Sequence, residues 1–185
     1  MYLATPCRSC SRSLNGWMLT PGSQVNVIEW AGLRMAIVIC VDTEVSGLWA
    51  RLALLDLDLI LVPVKTERIS GFNRVFGCAR ARAIELQTVV CAVGDIGKVM
   101  GFPGSDPVVG GAAAFLPCDA GLNTMGAAAA LEPHVPASGM DPVLYAANLP
   151  VGYCRQIRHG AAEAEVWPGS WAVEHITAAD LAVVS

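Results

Sequence analysis

Charge is scarce in this chain. Asp, Glu, Lys and Arg make up 15% of its 185 residues and hydrophobic residues 54%, where an average soluble domain carries roughly 25% charged residues. So little charge does not cover a lone globule, and part of the surface is expected to meet protein instead of water, as in a homo-oligomer. A formal net charge of -4 supplies no basic footprint for a phosphate backbone, which excludes nucleic acid as an expected partner. Apolar runs of the roughly 18 residues needed to span a bilayer are missing as well, because Arg51, Asp56 and Asp58 break the most apolar stretch. No membrane partner is expected. No charged segment followed by an apolar one opens the chain, so a secretory signal is not evident and cytoplasmic residence is expected. The seven cysteines are odd in number and scattered, which fits reduced thiols better than a disulfide framework. No internal repeat is visible.

What remains is patterned for an α/β fold. Residues 1–19 are rich in Ser, Arg and Cys and are read as an irregular segment, with a single domain over residues 20–185. A short strand is expected from Val25 to Trp30. The continuous apolar run Arg34 to Cys40 reads as a strand buried on both faces. A helix is expected over Leu48 to Leu55, then a strand from Leu57 to Val62 stopped by Pro63, a helix from Phe72 to Leu86 and a strand from Thr88 to Val93. This alternation is that of β-α-β units with a parallel sheet. Farther on, Ala112 to Leu116 and Val143 to Leu149 are the remaining strand candidates.

Several familiar chemistries lack their anchors. Gly-x-Ser-x-Gly is absent, so His134, His159 and His175 have no serine to serve and read as surface or capping residues. Cys7-x-x-Cys10 has no second pair of ligands at zinc spacing, and it does not lie between a strand and a helix as a redox motif would. Trp167 and Trp171, around Pro168-Gly169, are read as packing or interface residues. No metal or cofactor is implied.

Cys40 differs from these. It closes a buried strand and is followed at once by Val41-Asp42-Thr43-Glu44, a turn leading towards a helix. Ligands bind at the carboxyl ends of strands in α/β sheets, and a sharp strand-to-helix turn exposes a nucleophile beside free backbone N–H groups. Such groups favour a thiolate and stabilise an oxyanion, as acyl transfer requires. A small, inert core cysteine is the alternative that position alone leaves open.

Four blocks bear on the choice. They are Thr20-Pro21-Gly22-Ser23 leading to Gly32-Leu33-Arg34 and the strand Ala36 to Asp42; Arg51-Leu52-Ala53 with Leu59 to Pro63; Ala81-Arg82-Ala83-Ile84-Glu85 with its following strand; and Gly104-Ser105-Asp106-Pro107. In this order they resemble the carboxy-terminal part of the nitrilase superfamily of carbon–nitrogen hydrolases, most fully over residues 20–116. The resemblance implies a four-layer α-β-β-α sandwich, here incomplete. It also implies Cys40 as the nucleophile that forms a thioester or thioimidate, the Val41 N–H as oxyanion donor, and Asp42, Arg82 and Glu85 in support. Arg82 and Glu85 are spaced to pair on a helix. Glu44, near the thiol, is a further candidate, with a solvated turn carboxylate as the plainer reading. The implied function is hydrolysis of a non-peptide C–N bond in a small amide or nitrile.

The sequence also departs from that family. Upstream of Cys40 it contains no lysine, and Glu29 is its only acidic residue there, whereas the family's general-base glutamate and its lysine come from strands before the nucleophile. Lys65 and Glu67 are substitutes in principle. Val41 replaces an aromatic residue, and Val45-Ser46-Gly47 stands for Phe-Pro-Glu. The chain is therefore expected to be a shortened product or one segment of a longer protein, and a catalytically silent binding or assembly module is the rival to a hydrolase.

Overall fold

The computed structural model describes residues 24–96, 108–122, 124–134, 146 and 148–161. They form one mixed sheet of six strands in the order β1 (Ile28–Trp30), β2 (Leu33–Ile37), β3 (Leu59–Val64), β4 (Val89–Gly94), β5 (Gly110–Phe115) and β6 (Ala127–His134). β2, β3 and β4 run parallel, and β1, β5 and β6 are antiparallel additions at the two sides. Helix α1 (Ser46–Leu52) lies between β2 and β3, and α2 (Ile69–Glu85) between β3 and β4. The α/β class expected from the sequence is the class observed.

α2 forms because Phe72, Val75, Phe76, Ala79 and Ala83 recur at helical spacing and are all buried. They meet Ile60, Val62, Val64, Val90 and Ala92, the inward residues of β3 and β4. The Phe72 and Phe76 rings stack with centroids 3.9 Å apart. On the opposite face, Val89 and Leu116 pack with Cys154 of α3 (Val151–Gln156).

Three expectations need correction. Pro63 does not stop β3 but lies inside it, paired with Val93. Its missing N–H costs no ladder bond, because Leu61 O accepts from the Val38 N–H at 2.9 Å and Pro63, two residues on, faces the side where β2 has already ended. The helix expected over Leu48 to Leu55 ends at Leu52 and tightens to a 3-10 turn through Leu55. Residues 148–150 form no strand; they lead into α3, which the sequence reading did not foresee. The irregular segment 1–19, Cys7, Cys10, Gly104 to Pro107, residues 143–145, Trp167, Trp171 and His175 lie outside the described residues. Among the described residues no helix is long and apolar enough to cross a membrane.

α3 and the turn after it are tied to the sheet by a buried carboxylate. Asp58, just before β3, is 1% exposed. It accepts the Arg34 amide at 2.9 Å, Arg155 Nε and Nη2 at 3.0 and 2.6 Å, and Arg158 Nη2 at 3.2 Å. Arg158 also donates to Asp56 Oδ1 at 2.6 Å and to the Gln87 carbonyl at 3.1 Å. Burial alone would push the Asp58 carboxyl up; the hydrogen bonds from Arg155 and the Arg34 amide, with both guanidinium charges, outweigh it and hold the carboxyl below its ordinary value. An acid whose folded pKa is depressed adds stability above its unfolded value, near 3.8, and loses it as pH falls through the folded one. Asp58→Ala would remove the buried acceptor shared by the Arg34 amide, Arg155 and Arg158, while Arg158 keeps Asp56 and the Gln87 carbonyl, a loss of about 1–3 kcal/mol at pH 7. A urea midpoint within error of the wild type, or a wild-type midpoint unmoved between pH 5 and pH 3, would contradict this account.

Candidate functional site

β2 ends at the carboxyl side of the sheet, and the chain turns at once into a 3-10 turn, Cys40–Glu44, that leads to α1. Cys40 makes the corner in the left-handed region, with φ of +47°. A residue with a Cβ is strained there by about 1–2 kcal/mol, and such strain collects at functional turns. The corner holds because the turn is braced from within. Asp42 N–H donates to Ile39 O at 2.9 Å, and Thr43 Oγ1 donates to Cys40 O at 2.7 Å. Thr43 is fully buried, and its carbonyl accepts Trp49 Nε1 at 2.8 Å.

The Cys40 sulfur is half-buried, and its thiol donates to the carbonyl of Lys65 at 3.6 Å, across the neighbouring strand end. Among the described residues no acceptor meets the Val41 N–H, which stands in the first turn where helical amides lack partners. Asp42 is buried, with Oδ2 unpartnered among the described residues. Desolvation raises its carboxyl above the ordinary value, and a backbone hydrogen bond with Ile39 opposes the rise only in part. Glu44 closes the turn and pairs with Arg74 of α2, Oε1 to Nε at 2.7 Å.

Arg82 and Glu85 form an ion pair on α2, away from the sulfur. Arg82 nevertheless reaches the turn indirectly. Its guanidinium lies 5.4 Å from the Trp49 ring centroid, and Trp49 holds Thr43. Cys40, Val41, Asp42 and Glu44 are thus gathered in one turn, while Arg82 meets it only through Trp49 and Glu85 is paired with Arg82. Lys65 and Glu67 are exposed beyond β3, and only the Lys65 backbone meets the thiol. Glu29 is on the β1–β2 hairpin, paired with Arg34 at 2.7 Å. Six residue steps lead from Arg34 in β2 to Cys40 past the strand end at Ile37, a reach of up to roughly 20 Å of extended chain. Among the described residues no cluster of three or more His, Cys, Asp or Glu is arranged to hold a metal ion. The reading from sequence missed Arg74, because nothing local marks a contact across 30 residues.

No family model matches the chain. A segment of 83 residues, 45% of this chain, is 34% identical to the probable hydrolase YhcX of Bacillus subtilis (strain 168), and it covers 16% of that protein. Among solved structures, a nitrilase-superfamily amidase from Nesterenkonia AN1 matches with a TM-score of 0.45 and 21% identity, over 62% of this chain and 41% of its own. A CN-hydrolase superfamily protein from Xanthomonas campestris, with an arsenic adduct in its active site, matches with a TM-score of 0.41 and 24% identity, over 52% and 37%. The chain spans less than half the length of each of these relatives.

Two substitutions test the turn. Cys40→Gly relieves the left-handed strain and is expected to be more stable than Cys40→Ala by about 1 kcal/mol in urea unfolding; equal midpoints would show an unstrained corner. For Asp42 the sign is reversed, since an acid with a raised folded pKa loses stability as pH rises through that value. Asp42→Asn is therefore expected to raise the thermal midpoint more at pH 8 than at pH 4, and a lower midpoint at pH 8 would mean that the carboxylate is satisfied.

Proposed function

We propose that this chain carries the nucleophile of a carbon–nitrogen hydrolase acting on a small amide or nitrile. Cys40 as thiolate would attack the carbonyl or nitrile carbon and form an S–C bond. The Val41 N–H would take the developing negative charge, the nitrogen would leave protonated as ammonia or an amine, and water would cleave the thioester; the thioimidate from a nitrile would need one further water to lose its nitrogen. The observation that carries this reading is the corner itself: a sulfur held in a strained left-handed turn at the carboxyl end of a parallel strand, beside an amide that no acceptor meets among the described residues. Its relatives by partial similarity, a probable hydrolase and a nitrilase-superfamily amidase, are consistent with that chemistry. Asp42, Arg82 and Glu85 would hold the turn, as their contacts suit them to do.

A second reading is favoured by where the acids and cations lie. Glu29 is engaged on the hairpin far from the thiol, and Glu44 is already paired with Arg74. A retained but silent turn in a binding or assembly module fits these facts. Association with a second copy belongs to both readings. It would cover exposed apolar side chains such as Trp30 and Leu54, which are 66% and 75% exposed.

Ammonia release from a panel of simple amides and nitriles separates the two. Turnover by the wild type that is abolished in Cys40→Ala is expected for the hydrolase. Turnover that survives the substitution would remove Cys40 from the chemistry, and no turnover by a folded wild-type chain would favour the silent module.

A further inference from the structure

β2 leaves the sheet at Ile37, whereas β3 runs on to Val64 and its chain continues to Thr66. Along an extended chain successive carbonyls point to opposite sides. Val64 O accepts the Asp95 amide at 2.9 Å and Thr66 O accepts the Val109 amide at 2.8 Å, both on the side of β4 and β5. The Lys65 carbonyl between them therefore faces the place that β2 has vacated, and there the Cys40 thiol donates to it at 3.6 Å. Thr66 keeps that carbonyl aimed. It is buried, 9% exposed, and it holds Val109 twice, because its Oγ1 also donates to the Val109 carbonyl at 2.7 Å. The start of β5 comes close enough for this because glycines meet there: a Cβ on Gly94 would lie 3.0 Å from Gly110 Cα, and one on Gly110 would overlap the Asp95 carbonyl. From the other side Gly71 of α2 lies against Thr66, where an added Cβ would be 3.3 Å from Cγ2.

We propose that Thr66 is a positioning residue for Cys40: by clamping Val109 it fixes the Lys65 carbonyl as the resting partner of the thiol, a contact that must break before the sulfur attacks. The inference rests on Cys40 reacting as a nucleophile, though not on its hydrolysing anything. In the attack the S–H electron pair becomes the new S–C bond and the proton passes to a base in solution, since an amide carbonyl accepts the hydrogen bond but does not carry the proton away. The clamp thus sets both where the sulfur rests and what it gives up to react. It reaches the site from the far edge of β3, through one buried hydroxyl that never touches the sulfur.

Two readouts on the full chain test it, with Thr66→Val removing the hydroxyl while keeping the shape and Thr66→Ser keeping the hydroxyl. The S–H stretching band of Cys40 is isolated by Raman difference against a Cys40→Ala counterpart of each chain. The rate of Cys40 alkylation by iodoacetamide is read by peptide mass spectrometry as a ratio to exposed Cys118. In Thr66→Val the band is expected to move to the position of an unbonded thiol, and the rate ratio to rise about two- to fivefold, the scale of one weak hydrogen bond. Thr66→Ser should match the wild type in both. A merely structural role would not move the S–H band. Buried Cys154, whose thiol burial pushes up to about 11, reports unfolding in each variant if its labelling accelerates. Should Thr66→Val unfold, Gly71→Ala, whose methyl presses on Thr66 without removing its hydroxyl, is read in the same way. An unmoved band or an unchanged rate ratio in the folded variant, or a Ser variant that behaves as the Val one, would overturn the proposal. Both readouts remain available in a chain that turns over no amide, so failure here and failure of the hydrolase reading are distinguishable.

Discussion

The corner at Cys40 is the constraint on which the rest of the site depends. β2 must end where its neighbour continues, since Val38 still bonds to Leu61 and β3 runs on to Val64. The chain leaves the sheet by a left-handed residue instead of a loop, and no glycine is present to make that step cheap. The strain is therefore balanced nearby. Thr43 bonds back to the Cys40 carbonyl, Trp49 to Thr43, and the Arg82 guanidinium lies over Trp49. Each link is ordinary, but together they fix which way the sulfur and the Val41 amide face.

The two ends of the parallel strands divide the work. At the carboxyl end the polar groups are only half-committed among the described residues: a thiol on a carbonyl, an amide without an acceptor, a guanidinium with one edge engaged. At the amino end the buried carboxylate is fully engaged, because Asp58 is enclosed by two arginines and the Arg34 amide. Unmet hydrogen-bonding capacity at the rim can be given to a ligand, whereas a buried ionic knot contributes only if every partner is present.

The central strands and α2 were legible because their physics is local. A continuous apolar run and a 3.6-residue period are written in consecutive residues, and both mark the elements correctly to within a few positions. β6 and α3 were not. An alanine run carries no two-fold alternation to mark it as β6, and α3 has a single helical turn's worth of pattern before its kink. The Pro63 error had a different origin, since whether proline ends a strand depends on how far the neighbouring strand extends. Within the site, Cys40 to Glu44 could be read as one group because they adjoin in sequence. Arg74, and the Asp58 partners about 100 residues away, could not, because only the fold brings them together.

Magnitudes limit what the corner can do without help. General-base assistance is worth about 10²–10⁴ in rate, and Glu44 is already paired with Arg74. An oxyanion donor of the kind the Val41 amide offers is worth about 10²–10³ where it is preorganised, and the strained, braced turn is a preorganised one. Under the proposed chemistry a base would serve both steps, since attack needs a thiolate and hydrolysis an activated water.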